Sequence, residues 1–216
     1  VTTLTEPPAR AGLRERKKAM TRDALIDAAL RLFAERGFDA TTTEEVAASV
    51  NVSQRTFFRY FAGKEDVVLA VDAETAETMH AKLAGRPAEE HPFTALRGAF
   101  LETWGEMDEP ALHRHSVAGR LIGSCPQLLA AHLRQVNEHQ DRAAEAIARR
   151  TGVDPRIDPR PRLVAAAFAS MARLAHSMWC ETGCGDVSDL LRIFERCFDH
   201  LGATITEPWR DLEAMV

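Results

Sequence analysis

Apolar residues recur along this chain at three- and four-residue steps almost from end to end, and strict alternation is nearly absent. Leu25, Ile26, Ala29, Leu32 and Phe33 form one buried stripe, which predicts a first helix from Arg14 to about Arg36. Gly37 then suits the left-handed turn that closes a helix. A short helix follows from Thr42 to Val50: Thr42 caps it, Glu45 completes a capping box, and Val46, Ala47 and Val50 make its apolar face. Asn51-Val52-Ser53 is a tight turn, because Asn tolerates the left-handed region and Ser caps the helix after it. That next helix, Gln54 to Tyr60, is short.

A long helix starts near Lys64 and ends at the break Gly85-Arg86-Pro87 through Pro92. A second break, Thr151-Gly152-Val153-Asp154-Pro155 through Pro161, precedes two strongly apolar helices, Arg162 to Thr182 and Val187 to Thr204. With one tyrosine, few β-branched runs and no hairpin dipeptide between alternating segments, the fold expected is all-α. Its organisation is a mobile arm over residues 1–12, a three-helix helix-turn-helix domain over 13–62, and a helical ligand-binding and dimerisation domain over 63–216.

Composition narrows this picture only where it is uneven. Of the 216 residues 45% are hydrophobic and 27% charged, which suits a soluble globular chain, and no apolar run approaches the roughly 20 residues that span a bilayer. The first eighteen residues lack the apolar core of a secretory signal, so a cytoplasmic protein with four reduced thiols and no membrane partner is expected. The formal charge is -5, yet residues 1–64 hold eleven Lys and Arg against eight Asp and Glu. A basic head on an acidic body fits a DNA-binding module whose remaining surface is repelled by the duplex.

The second short helix has the chemistry for that task. Gln54, Arg55 and Thr56 open toward base edges, where glutamine matches adenine, arginine matches guanine and a phenyl ring or threonine matches the thymine methyl. Phe58 and Phe61 are expected to anchor its back on the core. Arg59, Tyr60 and Lys64 are better placed for phosphates, and Arg14, Arg16, Lys17 and Lys18 form a flexible basic cluster for an adjacent minor groove or backbone.

The run GFDATTTEEVAASVNVSQRTFFRYFAGK, Gly37 to Lys64, closely resembles the DNA-binding region of the TetR family of bacterial repressors. The matching positions are Gly37, Thr42, Val46-Ala47, Val52-Ser53, Thr56-Phe57-Phe58, Phe61 and Lys64. The resemblance implies phosphate contacts from Thr42, Tyr60 and Lys64 and base contacts from Gln54, Arg55, Thr56 and Phe57; Thr43, Ser53 and Arg59 complete the expected DNA-facing set. Three positions depart from the family pattern. Phe58 stands where a phosphate-binding Tyr is common, Asn51 replaces a Gly at the turn, and Gly63 replaces a capping Ser.

The same resemblance implies a fourth helix that ties the head to a variable body, which binds an inducer and dimerises through its last two helices. Leu163, Val164, Ala167, Phe168, Met171, Leu174, Ala175, Met178 and Trp179 form a wide stripe, and Leu190, Leu191, Phe194, Phe198 and Leu201 add another. These serve either a four-helix homodimer interface or the core of one subunit, and both uses share them. Phe93, Phe100, Trp104 and Met107 lie on one predicted helix with His113, His115, Leu121 and Leu128 soon after, and these, with Phe168 and Met171, are candidates to line a cavity for an apolar or aromatic inducer, though such stripes are also ordinary core. His176, Cys180 and Cys184 share a spacing of four; with Gly183 ending the helix and too few ligands, inert thiols are the better reading than metal.

No cofactor is expected. The chain lacks Gly-x-x-x-x-Gly-Lys-Ser/Thr, Gly-x-Ser-x-Gly and His-Glu-x-x-His, so an enzyme has little support. Two readings stay open: a repressor released from operator DNA by a small molecule, and a DNA-binding factor that is constitutive, architectural or controlled by a protein partner. In the first, two recognition helices sit about 34 Å apart and the inducer tilts the fourth helix out of register.

Overall fold

The computed structural model describes residues 9–206, which form nine helices and no strand among the described residues. They are α1 (Ala9–Arg36), α2 (Thr43–Ser49), α3 (Gln54–Phe57), α4 (Lys64–Gly85), α5 (Pro92–Gly105), α6 (Glu109–Ser124), α7 (Pro126–Thr151), α8 (Arg160–Glu181) and α9 (Val187–Thr206). The expected mobile arm is corrected over its last four residues, because α1 already begins at Ala9; residues 1–8 lie outside the described residues. Arg14, Arg16, Lys17 and Lys18, expected as a flexible cluster, are exposed on α1.

Local chemistry sets the head. Thr42 Oγ1 accepts from Glu45 N at 3.2 Å while Glu45 Oε2 accepts from Thr42 N at 2.9 Å, so the capping box forms as expected. Asn51 adopts φ 57°, and Ser53 Oγ accepts from Thr56 N at 3.1 Å. The third helix is shorter than expected. It ends at Phe57, and Arg59 N and Tyr60 N turn back to Thr56 O and Phe57 O in tight i to i+3 bonds.

Two apolar cores divide the chain in an informative place. The first gathers α1, Val46, Ala47, Phe57, Phe61 and the start of α4 at Val67, Val68 and Val71, and it also takes in Val117, Ala118 and Ile122 of α6 and Leu128 of α7. The head thus shares its core with the body. The second holds Leu83, Phe100, Trp104, Ile147, Phe168, Met171, Trp179 and Phe194, drawn from α4, α5, α7, α8 and α9. Helix α4 runs through both. Helices α6 and α8 cross with no clearance, since a Cβ on Gly119 would lie 2.8 Å from both Cys180 Sγ and His176 Cε1.

A candidate DNA-reading face and a polar knot behind it

On the head, Thr42, Ser53, Gln54, Arg55 and Arg59 are exposed, while Thr43, Thr56 and Tyr60 are half-buried. Gln54 is pre-organised, its Nε2 donating to Thr43 Oγ1 at 2.9 Å across the turn. Thr56 and Ser53 share a hydroxyl contact of 3.0 Å, and the Arg59 guanidinium lies 5.2 Å from the centre of the Tyr60 ring. Arg55, Thr56, Phe58 and Arg59 line one shallow concavity on this surface.

One of the expected DNA-contact residues is corrected. Phe57 is fully buried at 0% exposure, packed edge-on to Phe58 and tilted against Phe61, so its ring is not available to a base. Phe58, expected to anchor the helix, is 51% exposed. Successive helical residues differ by about 100°, so Phe57 and Phe61, four apart, share the inner face and Phe58 is carried off it. Lys64, expected at a phosphate, is half-buried and held by its own loop. Its ammonium donates to Phe38 O at 2.8 Å, approaches Asp39 O and Thr41 O, and sits 4.4 Å from the Phe38 ring centre, closing the chain between α1 and α2.

In the body, Phe100, Trp104, Phe168 and Met171 are buried together and Met107 packs at their edge. They are tightly set: Phe100 stacks on Phe194 with centroids 3.9 Å apart and 15° between planes. His113 is corrected, because it is exposed. Two residues on, and so on nearly the opposite side of α6, His115 is the one that turns inward, 3% exposed and 4.6 Å from the Trp104 ring.

His115 leads to a group whose members lie on three different helices. Its Nδ1 lies 3.2 Å from Asp72 Oδ1, and His132 Nδ1 of α7 lies 3.1 Å from Asp72 Oδ2. Thr75 Oγ1 meets His115 Nε2 at 2.8 Å. One carboxylate on α4 therefore stands within ion-pair distance of an imidazole on α6 and of another on α7, although neither nitrogen is aligned on it for a full hydrogen bond. Burial alone would push the Asp72 carboxyl up, but the two imidazoles more than reverse this and hold it well below the usual carboxylate range. Next to the knot, burial pushes His176 down to about 4, and its Nε2 has no partner among the described residues. A signal was present: Val68, Val71, Asp72, Thr75 and Met79 follow helical spacing, so an acid stands on the apolar stripe of α4.

Helix α6 also clasps the head directly. Arg114 binds Asp27 of α1 with two bonds of 2.6 and 2.9 Å, and Arg22 of α1 pairs with Glu74 of α4. Beside His176, burial pushes the Cys180 thiol up to about 12. Among the described residues no group of three His, Cys, Asp or Glu is placed to hold a metal ion, and no helix is long and apolar enough to cross a membrane.

A short capped helix, a three-residue turn and a second helix presenting polar side chains define a helix-turn-helix protein, here with a large helical body. Residues 25–71 match the bacterial regulatory proteins of the tetR family, and residues 90–206 match the MftR C-terminal domain. The chain is 39% identical over 204 residues to the HTH-type transcriptional regulator TcmR of Streptomyces glaucescens, covering 92% of this chain and 90% of that one. It is 26% identical over 188 residues to the putative mycofactocin biosynthesis transcriptional regulator MftR of Mycobacterium tuberculosis, covering 87% and 92%. In fold it is similar to Thermus thermophilus FadR, a TetR family repressor solved with lauroyl-CoA, at TM-score 0.51 and 22% identity over 88% of this chain and 97% of that one. The chain belongs to the TetR family of DNA-binding transcriptional regulators.

Proposed function

We propose that this protein is a cytoplasmic, homodimeric repressor that grips operator DNA through Thr42, Thr43, Ser53, Gln54, Arg55, Thr56, Arg59 and Tyr60 and releases it when an apolar or aromatic inducer enters the body. The observation that carries this reading is the course of α4. Its first turns pack in the head core at Val67, Val68 and Val71, and its middle is tied through Asp72 to His115, whose ring lies against Trp104. An inducer parting Phe100, Trp104, Phe168, Met107 and Met171 displaces His115, loosens the knot and changes the angle at which α4 presents the head. The exposed Leu163, Leu174, Met178 and Ile205 on α8 and α9 offer a second copy an apolar, self-complementary face.

A second reading, a DNA-binding factor without a small-molecule ligand, is favoured by the close stacking of Phe100 on Phe194. The experiment that separates them starts with selection of bound genomic fragments by the purified protein, with each site retested at several salt concentrations. A short palindrome supports the dimeric repressor; salt-sensitive binding with no preferred sequence overturns it. Operator complexes are then challenged with a panel of aromatic and long-chain acyl compounds, and complexes that none of them dissociates favour the second reading.

A further inference from the structure

Phe58 is anomalous on physical grounds. Among the described residues it is the only Phe, Tyr or Trp that is more than about a third exposed, at 51%. Its place is not slack, because its ring stands edge-on to the fully buried Phe57, 5.5 Å between centroids and 88° between planes. It lies in the concavity shared with Arg55, Thr56 and Arg59, so an apolar ring is flanked by two cations. A duplex drawn in by those cations offers one apolar group in its major groove, the 5-methyl of thymine. A phenyl ring has no hydroxyl to give a phosphate, so the backbone does not explain it.

We propose that Phe58 determines operator specificity by packing on the 5-methyl group of one thymine in each half-site. The inference rests on the DNA-reading face proposed above and adds a residue and a base to it. Burying one methyl is worth about fourfold in affinity, so a dimer with two half-sites gains about fifteenfold.

The test is a double-mutant cycle between protein and DNA. The operator duplex selected by the full-length protein is remade with each half-site thymine replaced in turn, symmetrically, by deoxyuridine, which removes only the methyl. Wild type is expected to lose about fifteenfold at one position, Phe58→Ala to bind the thymine and uracil forms of that duplex equally, and Phe58→Leu to keep part of the preference. Indifference of the wild type to every methyl overturns the proposal, as does a Phe58→Ala protein that weakens on thymine and uracil duplexes alike, which would place the ring on sugar. A wild type that selects no sequence overturns the DNA-reading face itself, so the two failures are told apart.

Discussion

Replacing Asp72 with Ala should expose how much the knot holds. The change leaves His115 and His132, which lie 3.2 and 3.1 Å from the carboxylate, without their anion, and His115 is only 3% exposed. Leaving a buried polar group without its partner costs about 1–3 kcal/mol; since His132 and Asp72 keep some solvent contact, about 2–4 kcal/mol is expected for the whole substitution. For a chain of this length that lowers the melting temperature by about 5–15 °C. Calorimetry at one fixed protomer concentration measures it, because dimerisation makes melting concentration-dependent. His115→Ala and the double variant complete a cycle. Partners in one network should show a double loss smaller than the sum by about 1 kcal/mol or more. Operator affinity should also change, although residue 72 lies on α4 beyond the head. Additive stability losses together with unchanged operator binding would refute both the network and its link to the head.

His176 sets a pH dependence. Its folded value is pushed down to about 4 by burial, so as pH falls below about 6.5 the unfolded chain takes a proton that the folded one refuses. Stability present at pH 7 is lost across that window, about 2 kcal/mol by pH 5, and urea titrations of His176→Asn should show a flatter pH slope than wild type. Lys64→Ala should lower unfolding free energy by about 1–3 kcal/mol in urea titrations, because the ammonium closes the chain between α1 and α2; a flattened salt slope on DNA with unchanged stability would assign it to phosphate instead. Arg55→Ala should weaken operator binding by about 1–3 kcal/mol and relax one base pair, as read by binding to single-base operator variants; an equal loss on random DNA would contradict it.

The head was legible because its signals are local. Thr42 with Glu45, Asn51 and Ser53 each act on backbone groups within a few residues, so the caps and turn could be read from the sequence. The assignment of Phe57 and Phe58 went astray because two adjacent rings are alike in composition. Which one faces inward depends on the phase of a four-residue helix, and so short an element gives little periodicity to fix a phase. His113 and His115 pose the same problem of phase. The knot lay beyond local reading for another reason: Asp72, His115 and His132 are far apart in the chain and meet only once α4, α6 and α7 are packed. The carbonyl contacts of Lys64 were equally out of reach, since Phe38 and Thr41 belong to a loop more than twenty residues earlier.

The bare crossing at Gly119 gives α6 a fulcrum. A side chain there would press on Cys180 and His176, so the two helices meet at this point with no room between them. His115 stands four residues to one side, about 6 Å along the axis, and Ile122 three residues to the other, about 4.5 Å. A rigid α6 turning at that point would carry His115 and Ile122 in opposite senses, Ile122 about three-quarters as far, so a shift of His115 against Trp104 would reach the core that α6 shares with the head.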